Sequence, residues 1–336
     1  MNTAVKNKGL EDKVFHVNTD NFIATALEVF RFQHQNNPVY RQFCDLLKVD
    51  PGKINHLTDI PFLPISFFKT HTITTTDFIP EIIFESSGTT QTINSKHLVK
   101  DIGIYEESFT KGFDLFYGDV KDYCIIALLP SYLERKNSSL VMMADKLVQQ
   151  SEHPKSGFYL NELEALHQTL SELEQAKQKT ILIGVTFALL DFAETFPMPL
   201  KNTIIMETGG MKGRRKEMTR QEVHEKLCNA FYLSHIHSEY GMTELLSQAY
   251  SKGDGIFNCP PWMKILLRDE DDPLHVDSMN IGKTRNGVIN VIDLANIYSC
   301  SFIAIEDAGK LHADNSFEVL GRVDHSDIRG CSLMVL

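Results

Sequence analysis

The chain has 336 residues, enough for one large domain or two ordinary ones with ample apolar material for a core. Hydrophobic residues make up 43% and charged residues 23%, the proportions of a globular protein, and 33 basic residues against 44 acidic ones leave a net charge of −11. That balance argues against non-specific binding to nucleic acid or anionic membranes, while leaving room for a local basic pocket that takes a nucleotide.

Six cysteines stand in the chain: Cys44, Cys124, Cys228, Cys259, Cys300 and Cys331. None forms C-x-x-C and none pairs with a His at zinc-finger spacing. The start, Met1-Asn-Thr-Ala-Val-Lys-Asn-Lys8, is polar and has no signal-peptide core, and no apolar run approaches the ~20 residues of a membrane span. The expectation is a cytoplasmic protein with no membrane span and with free thiols, one of which could be chemically active.

In chain order, residues 20–47 carry helical spacing through Phe22, Ile23, Ala26, Leu27 and Phe30. Asn36-Asn37-Pro38 breaks that helix, and a second one bears Tyr40, Phe43, Leu46 and Leu47 until Pro51-Gly52. Two prolines inside Ile60–Lys69 exclude a central strand or a helix interior, so that run reads as an extended packed segment. Ile82-Ile83-Phe84 reads as a strand end, and a loop rich in Ser and Thr follows it. Residues 101–117 form an amphipathic helix. The run 122–130, ended by Pro130, has the continuous apolar character of a doubly buried parallel strand.

Helices are then expected around 138–149 and over 161–178, the latter with Asn161 as N-cap. A strand over 180–185, a helix over 187–196 and a strand over 202–207 follow. Thr219-Arg-Gln-Glu222 is a capping box that opens a helix to Ala230. A short fourth strand falls at 233–237. Strand and helix alternate from about 100 to 240, the pattern of a parallel α/β sheet. Beyond 255 the runs Met263–Leu267, Gly287–Ile292, Ile297–Ile305 and Phe317–Leu320 are short and punctuated by turns, as in a β subdomain. The expected domains are a helical part over 1–80, an α/β nucleotide-binding core over 81–250, a β-rich subdomain over 251–320 and a hinge-like segment over 321–336.

The loop Glu85–Lys96 carries four hydroxyls, those of Ser86, Ser87, Thr89 and Thr90, around Gly88, with Lys96 and His97 behind them. Glycine lets backbone N–H groups approach an anion, hydroxyls donate to phosphate oxygens and Lys supplies a charge. The loop fits neither G-x-x-x-x-G-K-[ST] nor G-x-G-x-x-G, so ordinary P-loop and Rossmann sites are not expected. Glu207-Thr-Gly209-Gly210 and Ser238-Glu-Tyr240-Gly241-Met-Thr243-Glu244 would leave the same carboxyl edge of a parallel sheet, where ligands bind. Gly209-Gly210 could lie flat against a planar ring and Tyr240 stack on it. Thr243 offers a hydroxyl, and Glu244 a carboxylate able to hold Mg²⁺ beside phosphates.

Asp307, expected at a strand end in Ile305–Gly309, could accept both ribose hydroxyls. Arg322 and Arg329 would favour a thiolate at Cys331. The plainer readings of these residues are a solvated Ser/Thr loop, a Gly-Gly turn, a packing tyrosine, a turn acid and an inert buried cysteine.

The ordered set Ser86-Ser-Gly-Thr-Thr90, Tyr240-Gly-Met-Thr-Glu244, Asp307 and Gly321-Arg-Val-Asp324 resembles the adenylate-forming superfamily, from about residue 60 to the end. The Pro-rich Ile60–Lys69 segment, the short length and the ending Arg329-Gly-Cys-Ser-Leu333 are most similar to its acyl-protein synthetase branch, the long-chain fatty acid–protein ligases of bioluminescence fatty acid reductase complexes. The resemblance implies the large α/β domain of that fold plus a β-rich subdomain, with the small C-terminal domain lacking or vestigial. It implies that a fatty or other carboxylic acid attacks ATP to give acyl-AMP, and that a Cys near the C-terminus then takes the acyl group.

Mapped onto this chain, Ser86, Ser87, Gly88, Thr89 and Thr90, with Lys96, would hold the β- and γ-phosphates. Gly209, Gly210, Tyr240 and Gly241 would frame adenine. Thr243 and Glu244 would serve phosphate and Mg²⁺, Asp307 and Arg322 the ribose, and Cys331 would accept the acyl group. An acyl-accepting or reductase protein and self-association are further implied partners. The sequence departs from the superfamily pattern where Gln91, not Gly, follows Thr90 and where Lys96 comes late. An acyl-CoA ligase of the phenylacetate-CoA ligase type and an inactive nucleotide-binding scaffold are the competing expectations.

Overall fold

Asn37 explains where the first long helical stretch divides. In the computed structural model, which describes residues 8–86, 93–129, 137–160, 162–210, 218–276 and 283–323, Asn37 is extended and its side chain caps the next helix by accepting from the Tyr40 N–H. Pro38, which has no N–H to satisfy, takes the first helical position. The helices on either side are α2 (Phe22–Asn36) and α3 (Pro38–Leu46), preceded by α1 (Lys8–Val14). The Pro-rich segment then contributes β1 (Leu63–Pro64) and the single turn α4 (Phe67–Thr70). The turn was not anticipated.

The Ser/Thr loop is flanked by β2 (Ile82–Glu85) and β3 (Lys96–Val99), an antiparallel hairpin in which Glu85 lies opposite Lys96. There follow α5 (Ile102–Tyr117), β4 (Cys124–Leu128), α6 (Ser139–Ser151), β5 (Gly157–Tyr159), α7 (Leu163–Gln175) and β6 (Thr180–Gly184). Next come α8 (Thr186–Thr195), β7 (Thr203–Glu207), α9 (Arg220–Phe231), β8 (His237–Tyr240), β9 (Ala249–Ser251) and β10 (Ile256–Asn258). The chain continues through β11 (Met263–Arg268), β12 (Arg285–Asp293), a 3₁₀ turn at Leu294–Asn296, β13 (Phe302–Leu311) and β14 (Phe317–Arg322).

Four expectations need correction. The residue preceding α7 is Glu162, without a side-chain cap bond; Asn161 lies outside the described residues. The fourth parallel strand begins at His237 and not at 233, because Phe231 and Leu233 are apolar for closing α9 onto the core after the left-handed Tyr232. Residues 297–301 are not strand, since Asn296, Ile297 and Ser301 are taken up in side-chain hydrogen bonds. Asp307 lies inside β13, not at its end. Gly309 does not turn the chain but admits a bulge and a close neighbour, for a Cβ there would stand 2.5 Å from the Ile289 side chain.

The chain divides into two compact units. One comprises residues up to Phe109, Met242–Gln248 and Cys259–Val323. Strands β11, β12, β13 and β14 form an antiparallel meander in it, and β1 pairs in parallel with the start of β13. Phe302 on β13 anchors an aromatic cluster: Tyr40 stacks on it at 6.2 Å, and Phe30 and Phe62 meet it edge-on. Gln33, wholly buried on α2, donates to the carbonyls of Asn296 and Ile297 and the hydroxyl of Ser301, and accepts from the Ser301 N–H. Gln33→Leu would leave these groups buried and unsatisfied, so it should cost about 2–3 kcal/mol in denaturant unfolding, more than a volume change alone.

The other unit includes Thr110–Gly241 and Ala249–Asn258. Its strands run in the order β10-β9-β8-β7-β6-β4-β5. Strands β4 to β8 are mutually parallel, and β9 and β10 add antiparallel pairs. Every residue of β4 and β6 is buried, which is why those strands read as unbroken apolar runs. The core between strands and helices is built from Ile126, Leu128, Leu170, Leu182, Leu189, Phe192 and their neighbours. The carboxyl ends of β6, β7 and β8 lie at Gly184, Glu207 and Tyr240. Among the described residues, no helix is long and apolar enough to cross a membrane.

Candidate active site

At the carboxyl end of β7, Glu207 organises the Gly-Gly turn. Its Oε1 accepts from the Gly209 N–H at 2.7 Å and from the Thr186 hydroxyl at the start of α8. The first N–H groups of α8, which have no partner within the helix, donate back: Thr186 to the Gly209 carbonyl at 3.1 Å and Phe187 to the Gly210 carbonyl at 3.4 Å. Gly209 and Gly210 have φ of 76° and 95°, a conformation that glycine takes without strain. His224 of α9 approaches Glu207 Oε2 to 4.0 Å and the Ser238 hydroxyl to 3.3 Å. Burial lowers the pKa of His224, against the pull of Glu207.

Glu239 on β8 is pushed up to about 8, first by burial and then by the Glu207 charge. It therefore keeps its proton at neutral pH. The unfolded chain ionises freely above about 4.5, so the native-state advantage is full below that pH and is lost as pH rises through about 8. Glu239→Gln should match wild type in stability at pH 4.5. It should become more stable than wild type by on the order of 2–4 kcal/mol at pH 8.5, measured by denaturant titration. Tyr240, the next residue, is buried, with its ring 5.7 Å from Phe257; Gly241 is exposed.

Met242, Thr243 and Glu244 belong to the other unit, with the Ser/Thr hairpin. The neck of that hairpin is closed by Ser86: its N–H donates to the Ser95 carbonyl and its hydroxyl oxygen accepts from the Ser95 N–H at 2.9 Å. Ser87, Gly88, Thr89 and Thr90 lie outside the described residues. Lys96 is exposed, and its ammonium stands 3.8 Å from the Glu85 carboxylate across the hairpin, a surface pair of small energetic weight.

The Thr243–Glu244 segment is held along its backbone. His97 Nδ1 lies 2.8 Å from the Thr243 carbonyl oxygen, and Asn296 donates to the Glu244 carbonyl at 2.7 Å. Leu245 N–H closes a turn on the Met242 carbonyl. One oxygen of Asp293 accepts the Leu246 and Ser247 N–H groups, and the other accepts the Ser247 hydroxyl and the Ala295 N–H. Burial pushes Asp293 up to about 6, and those donors oppose the shift. The Glu244 residue is itself 3% exposed. Asp307 and Arg322, both named from the sequence, are direct cross-strand partners, with Arg322 Nε 3.6 Å from Asp307 Oδ1.

Cys331 lies outside the described residues. The other five thiols are free, and burial raises the pKa of each, to about 12 for Cys44, Cys259 and Cys300. No cluster of three or more His, Cys, Asp or Glu able to hold a metal occurs among the described residues. Reading the sequence missed Asp293 and Asn296 as the groups that hold the Thr243–Glu244 segment, and Glu207 and His224 as polar neighbours of the Gly-Gly turn. An Asp opening a turn at 293 was the available signal for the first.

The family model described as acyl-protein synthetase, LuxE, matches residues 15–336. A long-chain-fatty-acid–luciferin-component ligase of Vibrio harveyi is 26% identical over 330 residues, covering 90% of this chain and 84% of its own. Among solved structures, 2-hydroxyisobutyryl-CoA ligase in the postadenylation state with R3-HIB-AMP aligns at a TM-score of 0.62 and 10% identity. That alignment covers 93% of this chain and 70% of the ligase. Its open conformation with 2-HIB-AMP and CoA aligns at 0.61 and 12% identity, over 90% and 70%. The fold is thus that of the adenylate-forming ligases.

Proposed function

The chain belongs to the acyl-protein synthetase family LuxE, and from that premise we propose that it activates a long-chain fatty acid with ATP and passes the acyl group to a protein thiol, its own Cys331. The observation that carries the reading is the tie between two segments 146 residues apart. His97, on the strand that leaves the Ser/Thr loop, bonds the backbone of Thr243. Both segments are the ones that carry groups suited to phosphate.

In the first step a carboxylate oxygen of the acid attacks the α-phosphorus of ATP. The bond to the bridging oxygen breaks, and pyrophosphate leaves with the electron pair. The Ser86 hydroxyl oxygen accepts from Ser95, which leaves its hydrogen to donate to a phosphate oxygen, and Ser87, Gly88, Thr89 and Thr90 would extend that cradle. Lys96 would add charge at its rim. Thr243 would donate to phosphate, and Glu244 would hold Mg²⁺, which supplies charge neutralisation on the phosphates. Gly209, Gly210, Tyr240 and Gly241 would frame the base, and Asp307, oriented by Arg322, would accept the ribose hydroxyls.

In the second step a Cys331 thiolate attacks the acyl carbonyl carbon, the carbon–oxygen bond to the phosphate breaks, and AMP leaves with its electrons. The raised pKa of the five other thiols supports Cys331 as the acceptor. The nucleotide product tests the activation step. Incubation with ATP and a panel of acids should give AMP and pyrophosphate with long-chain acids. ADP and phosphate, or product independent of acid, would overturn the reading, and acyl-CoA formed when CoA is added would reassign the acceptor.

A further inference from the structure

His97 is fully enclosed. Its ring is 1% exposed, with Phe68 of α4 edge-on at 5.8 Å and Phe84 of β2 at 6.5 Å. Its Nδ1 faces the Thr243 carbonyl at 2.8 Å. A carbonyl only accepts, so Nδ1 carries the hydrogen, and the ring is a donor of fixed tautomer. Burial lowers its pKa to about 4, so the ring is neutral at physiological pH. The next carbonyl along the chain, that of Glu244, is held by Asn296, which is wholly buried on the 3₁₀ turn after β12. Two consecutive carbonyls are therefore fixed by two buried side chains from different parts of the sequence. Fixing both peptide planes fixes the backbone angles of Glu244 between them, and with those the direction in which its Cα–Cβ bond leaves the chain.

We propose that His97 is a positioning residue for carboxylate activation: with Asn296 it clamps the Thr243–Glu244 backbone so that the Thr243 hydroxyl and Glu244 carboxylate are aimed at the phosphates. The proposal rests on the roles given above to Thr243 and Glu244. Because His97 lies on β3, paired with β2 in the hairpin, one ring ties that hairpin to the Thr243 backbone. A misaim of about 1 Å at a reacting centre costs on the order of 10²-fold in rate.

The test compares His97→Leu, which fills the space without donating, with His97→Asn, whose amide donates from near the Nδ1 position. AMP formation is measured with each, alone and combined with Glu244→Gln. His97→Leu should lower kcat by about 10- to 100-fold with KM for the acid unchanged, and His97→Asn should stay within about threefold of wild type. In the Glu244→Gln background the His97→Leu loss should shrink to about threefold or less, because the aim of a carboxylate already removed no longer matters. Equal losses in the Leu and Asn variants, or a loss that is fully additive with Glu244→Gln, would overturn the proposal.

If His97→Leu does not fold, Asn296→Asp replaces the other donor with an acceptor and should show the same non-additivity. Should wild type form no AMP with any acid, the functional reading fails by itself. The His97 comparison then passes to the affinity for a fluorescent ATP analogue with Mg²⁺: loss in Leu and recovery in Asn are expected, and equal affinities would overturn it.

Discussion

Cys331→Ser should abolish hydroxylamine-labile labelling of the protein by a radioactive long-chain acid and ATP, while acid-dependent exchange of pyrophosphate into ATP, which reports the activation step, continues. The two half-reactions make different demands. Activation needs positioned charge around a phosphorus centre, and nothing in it involves a thiol. Transfer needs a thiolate, and serine at the same place offers a hydroxyl that stays protonated without an adjacent base. The remaining thiols are disfavoured as acceptors, since Cys44, Cys124 and Cys300 are buried and burial raises the pKa of Cys228 and Cys259. Labelling that persists in Cys331→Ser would move the acceptor to another residue. The measurement is the label released by neutral hydroxylamine, counted per chain for both proteins.

The second large effect is expected at Glu244. Glu244→Gln keeps the volume and the backbone bond from Asn296, so the turn from Met242 to Leu245 should survive and the melting temperature should stay within about 2 °C of wild type. The charge that would hold Mg²⁺ is lost. The rate of AMP formation should fall by about 10²–10³-fold, the usual cost of removing one electrostatic contact from the transition state of such a step. The Mg²⁺ concentration needed for half-maximal rate should rise at the same time. An unchanged Mg²⁺ requirement would assign Glu244 to structure rather than to the metal.

Much of the fold could be read from the sequence because single residues announce it. Cys124–Leu128 and, after its opening Thr180, Ile181–Gly184 carry no polar side chain because both faces of each strand are covered, and such runs show in any window. Thr219 and Glu222 form the reciprocal capping box that their spacing implies, and Asn37-Pro38 divides two helices by a local cap. Asp307 was misplaced because Gly309 reads locally as a turn, whereas its glycine is demanded by Ile289 on a neighbouring strand. The start of β8 was misplaced for a similar reason: apolar residues that seal a helix end resemble the first residues of a strand.

The candidate site divides in the same way. Motif residues such as Tyr240–Glu244 are recognisable because their order along the chain is informative. What holds them is not recognisable: His97 reaches Thr243, Asn296 reaches Glu244, and Asp293 reaches Leu246 and Ser247, each across dozens of residues or more. Such bonds exist only once the sheet has formed, and each partner alone is an ordinary polar residue. Asp307 and Arg322 are intermediate, since both were named for one ligand group and the register of β13 on β14 sets them face to face.

The most direct test of carboxylate activation is exchange of radioactive pyrophosphate into ATP by the purified wild-type protein. A long-chain fatty acid should support exchange in the presence of Mg²⁺, and omission of the acid should stop it, because pyrophosphate can return to the nucleotide only through acyl-AMP. Exchange that proceeds equally without acid, or no exchange with any acid while ATP is bound, would contradict the account.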